Sequence, residues 1–139
     1  MATAQVFSFE RAEHEQPKKI VRLCRGDLVF SAVQVLRSGG ENILHSHQHL
    51  EGFWFVLSGR FRFYTTEDAV LADLGPHQGV LIPRDYPYWF ESVGDGPHEL
   101  LQVEASDRLI VDEKSLAEGR TDYAERRVAV EDLMRDTPT

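Results

Sequence analysis

The sequence predicts an all-β domain of antiparallel strands, a sandwich or small barrel, followed by one C-terminal helix. Three observations carry that prediction. Short apolar or alternating runs recur about every ten residues between Leu28 and Ala105, Gly and Pro turns separate them, and helical spacing appears only in the charged tail beyond Asp112. At 139 residues the chain is most simply one domain, with a β core over about 20–106 and a helical tail over 112–136.

A possible short strand at Val6 to Phe9 precedes a polar connection from Glu10 to Lys19, in which Pro17 breaks any helix. Ile20 to Cys24 alternates as a strand does, and Leu28 to Leu36 is β-branched and apolar with polar interruptions, so it reads as a half-buried strand. Ser38-Gly39-Gly40 is a turn. The next stretch, His45-Ser-His-Gln-His-Leu-Glu51, leads into the apolar run Phe53 to Leu57 and closes at Gly59. Arg60 to Thr66 alternates strictly, setting Phe61 and Phe63 on one face and Arg60, Arg62 and Tyr64 on the other. Ala69 to Leu74, Val80 to Pro83, Tyr86 to Phe90 and Glu99 to Ala105 complete the strand series. In the tail, Tyr123, Val130 and Leu133 or Met134 fall near helical spacing over Asp122 to Met134, with Thr121 or Asp122 as N-cap.

Composition narrows the function. A net charge of -8 repels a phosphate backbone and no basic cluster contradicts it, so nucleic acid is discounted. The single cysteine, Cys24, cannot close an internal disulfide, which fits a reducing cytosol. No stretch approaches the roughly 20 apolar residues of a membrane span, and no signal-peptide pattern opens the chain. A cytoplasmic protein that handles a small molecule, with no nucleic-acid or membrane partner, is the expectation.

Chemistry concentrates at His45 and His47. On an extended chain their Cα atoms lie roughly 6.6 Å apart on one side, close enough to share an ion at about 2.0–2.1 Å. Glu51 joins them only if the chain turns back around Gln48, His49 and Leu50, which predicts His-x-His ending one strand and Glu51 opening the next. His49, in that turn, is a candidate substitute ligand. The aromatic residues Phe53, Trp54, Phe55, Phe61, Phe63, Tyr86, Trp89 and Phe90 are first of all core formers. About half of them must face inward, which predicts an aromatic-lined cavity for a flat small molecule; Phe53, Trp54, Phe61, Phe63, Tyr86 and Trp89 are its expected walls. His14, His77 and His98 read as surface residues, as do Arg60 and Arg62.

Gly39, five residues, His45-x-His47, three residues, Glu51 and a strand-closing Gly59 resemble the first motif of the cupin family, and Pro83-Arg-Asp-Tyr-Pro-Tyr88 resembles the centre of its second motif. The likeness covers about Leu28 to Ala105. It implies a cupin-type antiparallel β-barrel, that is, a double-stranded β-helix or jelly roll, often dimeric. It further implies a metal held by two His and a Glu from the first motif and a third His from the second. The run around His45 is also similar to quercetinase-type dioxygenases. Three departures stand out. The final histidine falls on Tyr88, a phenol with pKa near about 10. His77 and Asp85 stand where glycines are usual. Seven residues separate Glu51 from Gly59 where the family has six, so by count Gly52 holds the carboxylate's slot, and Glu51 points away unless a bulge at Gly52 restores it.

If Glu51 binds, His45, His47 and Glu51 form an open two-histidine, one-carboxylate face suited to a divalent transition metal: Fe, Mn, Ni or Zn. The leading expectation is a metal-dependent small-molecule enzyme, a dioxygenase acting on an aromatic or polyketide-like compound, with Glu51 and Tyr88 as catalytic residues and Tyr88 moving a proton. The alternatives are a cupin that binds a small molecule without turnover, and a metal-dependent isomerase or cyclase. A homodimer is expected, with Val6 to Phe9 as a route for strand exchange.

Overall fold

The computed structural model describes residues 3–11, 14–110 and 120–122. Among the described residues ten strands form: β1 (Lys18–Arg25), β2 (Val29–Leu36), β3 (Gly40–His47), β4 (Leu50–Ser58), β5 (Phe61–Tyr64), β6 (Val70–Leu74), β7 (Gly79–Ile82), β8 (Tyr88–Ser92), β9 (His98–Ser106) and β10 (Arg120–Asp122). All pairings are antiparallel. They make two five-stranded sheets, ordered β1-β2-β9-β4-β7 and β10-β3-β8-β5-β6.

The expected barrel is therefore a two-sheet jelly roll and is not closed: no strand pairing joins the edges of one sheet to those of the other among the described residues. The expected helix also needs correction. Arg120–Asp122, inside the stretch expected to be helical and including its proposed N-cap, pairs with His47, Ser46 and His45 as a strand. A sheet edge offered by β3 outweighs helix propensity in these three residues. The rest of the expected helix lies outside the described residues. Val6 to Phe9 forms no strand, and Val6 and Phe7 are exposed.

The core lies between the sheets, where inward residues from both faces interdigitate. Leu36, Trp54, Val56, Ile82 and Leu100 come from the first sheet; Phe61, Phe63, Leu74, Tyr88 and Phe90 come from the second. Alternation decides which aromatic residues join them. On β8, Tyr88 and Phe90 face in, so Trp89 faces out, where it stacks on Tyr64 with centroids 4.0 Å apart in a small outer cluster with Leu44. Tyr64 thus lies on the outward face that its alternation predicts, yet it is buried there. Burial, followed by its bond to Glu91, pushes the Tyr64 phenol above its usual range.

Two turns carry a finding. His77 and Asp85 adopt φ of 67° and 65°, the left-handed region that suits glycine and that costs other residues roughly 1–2 kcal/mol. These are the two positions where the motif resemblance puts glycines. His98 corrects another expectation: it is buried on β9, where Nδ1 accepts from Arg60 N at 3.1 Å and Nε2 lies 3.0 Å from Gly94 O. It ties two turns together. No helix among the described residues is long and apolar enough to cross a membrane.

Candidate functional site

His45 and His47 end β3 on its inner face, as the spacing predicts, with ring centroids 5.3 Å apart. Tyr88, the register partner of His45 on β8, packs 4.4 Å from the His45 ring and 6.3 Å from His47. These three residues are brought together. His45 is fully buried, and its Nδ1 lies 2.7 Å from Ile43 O, which fixes the ring and places the proton on Nδ1. Nε2 then faces Glu41, 3.2 Å from Oε1, although off the line of a hydrogen bond.

Glu41 was not among the residues singled out, yet it organises one end of the site. Its Oε2 accepts from Gln34 Nε2 at 3.0 Å and lies 3.9 Å from Lys18 Nζ. Burial works against its ionisation, but the contact and charge of His45, then Lys18 and Gln34, hold its carboxyl well below the usual range. Gln34 Nε2 also donates to Gln102 Oε1 at 3.1 Å, and Gln102 Nε2 donates to Glu104 Oε1. A polar row Lys18–Glu41–Gln34–Gln102–Glu104 therefore runs through the interior.

The count to Gly59 decides the carboxylate question. Leu50, Trp54 and Val56 are buried on β4, so Gly52 shares the inner face and Glu51 and Phe53 turn outward; Glu51 is exposed, and Phe53 is 41% exposed. No shift at Gly52 rescues Glu51, because β4 pairs with β9 in unbroken register from Leu50 to Val56. Gly52 lies opposite Glu104, and a Cβ on Gly52 would sit 2.9 Å from Glu104 Cγ. A carboxylate does stand by this slot, but it comes from β9.

Glu51 still borders the mouth of the site, a pocket shared with His47, Gly52, Trp54, Tyr88 and Glu104. The space there is about 10 Å³, room for one water and not for an aromatic ring. The expected aromatic cavity is instead filled: Trp54, Phe61, Phe63 and Phe90 pack on one another. Tyr86 packs against that core from its rim. Phe53 and Trp89, both expected as pocket walls, lie on outer faces. His49 points to Asp107, with Nδ1 3.4 Å from Oδ1, and is not gathered with His45 and His47.

A cupin domain model matches residues 32–104, more than half of the chain. This chain is a cupin. No curated protein matches it in sequence. Among solved structures it resembles KdgF from Halomonas sp. (TM-score 0.62, 13% identity, covering 76% of this chain and 96% of that one). It also resembles an RmlC-like cupin from Desulfovibrio desulfuricans (0.60, 20%, 73% and 97%) and Streptomyces PAC13 with uridine (0.62, 12%, 86% and 91%). At these identities the likeness is one of fold.

Cupins commonly bind a metal, and the donor set of this cupin tests whether it suits one. Two imidazoles are present. The third comes as a phenol, a poor ligand unless deprotonated, and the Glu51 carboxylate faces outward. Among the described residues no three His, Cys, Asp or Glu side chains are gathered to hold an ion. The residues do not fit the family's four-ligand centre. The signals that could have pointed to the actual polar set were modest: Gln34 interrupts an apolar strand, and Glu104 shares the inward parity of Leu100.

Proposed function

We propose that this cupin is a small-molecule enzyme that works by proton transfer at His45, with Glu41 and Tyr88 as its partners. One observation carries the reading: Nδ1 of a fully buried histidine is committed to Ile43 O, leaving Nε2 3.2 Å from a carboxylate oxygen. Such a pair accepts a proton from a bound molecule and returns it, while the Tyr88 hydroxyl supplies a second donor beside the ring. The reaction class this favours is elimination or isomerisation of a compound bearing hydroxyl or carbonyl groups. A structurally similar cupin, Pac13, is described as a nucleoside dehydratase, which supports that class by analogy of fold only.

The test is a turnover screen over nucleosides and sugars with chelator-treated protein. Activity that survives chelation and is lost in His45→Gln supports the reading; turnover unchanged in His45→Gln sinks it. A second reading, a metal-dependent cupin of dioxygenase type, has support in the way Ile43 O anchors His45, as partners of metal-bound histidines do. Activity restored only by added Fe, Mn or Ni, and dependent on dioxygen, would favour it. A homodimer is part of the proposal, because Phe53 and its register partner Leu81 leave apolar surface on the outer face of the first sheet, 41% and 62% exposed. Sedimentation at micromolar concentration reads it directly.

A further inference from the structure

At the Gly40 end of β3, away from His47 and the mouth, lies a cavity of about 520 Å³ whose lining includes Lys18, Ser38, Gly39, Gly40, Asn42 and Glu91. Small-molecule sites span roughly 300–1,000 Å³, whereas the space beside Glu104 is about 10 Å³. The walls are tied in place by backbone bonds. Pro17 O accepts from Arg37 N at 2.7 Å and from Ser38 N at 3.4 Å, and Ser92 N donates to Gly39 O at 2.8 Å. Lys18 pairs with Leu36 across β1 and β2, and Gly40 pairs with Glu91 across β3 and β8. The start of β1, the turn between β2 and β3 and the end of β8 thus enclose a preformed space. Gly39 keeps one side of it bare: its φ is 75°, and a Cβ there would meet nothing closer than Asn42 Nδ2 at 3.8 Å.

The lining carries one cation and one anion. Lys18 Nζ stands 3.9 Å from Glu41 Oε2, near enough for attraction but too far for a hydrogen bond. Glu91 Oε2 accepts from the Tyr64 hydroxyl, and a carboxylate that takes one hydrogen bond has room for more. Asn42 stands with them, and its Oδ1 is buried with no hydrogen-bond partner among the described residues. An amide left so is one that the protein alone does not satisfy.

We propose that this cavity is a second ligand site and takes a small zwitterion, an amino acid whose carboxylate meets Lys18 and whose ammonium meets Glu91, with the Asn42 amide beside them. A simple anion is opposed by Glu91 and by the net charge of -8, and a simple cation is opposed by Lys18. Lys18 and Glu91 belong to different sheets, so the two charges of the ligand stand at opposite ends of a short carbon chain. The site is separate from His45 and holds whether or not His45 transfers a proton.

The test is a titration of the full chain followed through the backbone amide signals of Ser38, Gly39 and Gly40 by NMR, with three probes of one chain length: 4-aminobutyrate, butyrate and butylamine. The expected result is that 4-aminobutyrate shifts these signals saturably and that each single-charge probe binds at least tenfold more weakly. Lys18→Met and Glu91→Gln should each weaken 4-aminobutyrate at least fivefold. No saturable shift at these amides, or a single-charge probe within tenfold of 4-aminobutyrate, overturns the proposal. Those comparisons use the unmodified protein and do not depend on either variant folding; a folded variant that binds 4-aminobutyrate as the parent does also overturns it.

Discussion

Gly52→Ala should destabilise the protein far more than the added methyl group suggests. Gly52 lies opposite Glu104 in the β4–β9 ladder, and its ideal Cβ would stand 2.9 Å from Glu104 Cγ and 3.1 Å from Glu104 Cα, with the Val103 carbonyl closer still. Carbon atoms in packed interiors sit about 3.5–4.0 Å apart, so two central strands must part by several tenths of an ångström. Overpacking of this kind costs roughly 1–3 kcal/mol. With an unfolding entropy of about 2.1 cal/mol/K per residue, a chain of 139 residues would lose about 3–10 °C in Tm. Thermal unfolding followed by near-ultraviolet circular dichroism measures this. Glu104→Ala added to Gly52→Ala should recover only part of the loss, because the Val103 carbonyl is backbone. A Gly52→Ala protein within about 0.5 kcal/mol of the parent, or full recovery in the double variant, would refute the close-approach account of this glycine.

Three further outcomes follow from the same geometry. Glu41→Gln should flatten the acid limb of stability: a carboxyl held below the 4.5 of an unperturbed glutamate contributes stability that is in place above that value and is lost as pH falls through the lower one. Urea titrations from pH 6 down to pH 3 read the slope, and parallel curves for variant and parent would contradict the ion-pair geometry. His77→Gly and Asp85→Gly should each leave stability unchanged or raise it by up to about 1 kcal/mol, since glycine holds positive φ without the side-chain penalty; a loss above that size in a chemical denaturation curve argues against strain at these turns. His98→Ala should cost about 2–4 kcal/mol, because it opens a cavity and leaves the Arg60 N–H without its partner. A shift of the urea midpoint at unchanged slope is the signature.

The strands were legible because their period is local. Alternation at Phe61 and Phe63, Gly and Pro punctuation, and the turn between His47 and Glu51 depend on neighbours a few residues apart. Even the parity of β4 could be read, since counting back from Gly59 puts Gly52 and not Glu51 on the inner face. The interior polar row could not be read, because whether Glu104 meets Gly52 or Gln34 meets Glu41 depends on strand register and on the second sheet, neither of which is written in a single segment. The aromatic residues misled for a related reason: inward-facing rings line a cavity or fill it according to their joint volume, and here Trp54, Phe63 and Phe90 fill it. His98 was misplaced because a histidine after a Gly-Pro turn resembles an exposed loop residue until the turn is seen to fold over it.

Glu41, His45, His47 and Tyr88 belong to one sheet, whereas Lys18, Gln34, Gly52, Gln102 and Glu104 belong to the other. The bonds from Glu41 to Gln34 and Lys18 are thus rivets between two separately woven layers. A molecule that touches both His47 and Glu104 adds a rivet at the opposite, mouth end, so occupancy and the spacing of the sheets are mechanically one variable. Anything that shears the layers loosens the grip, and anything gripped resists the shear.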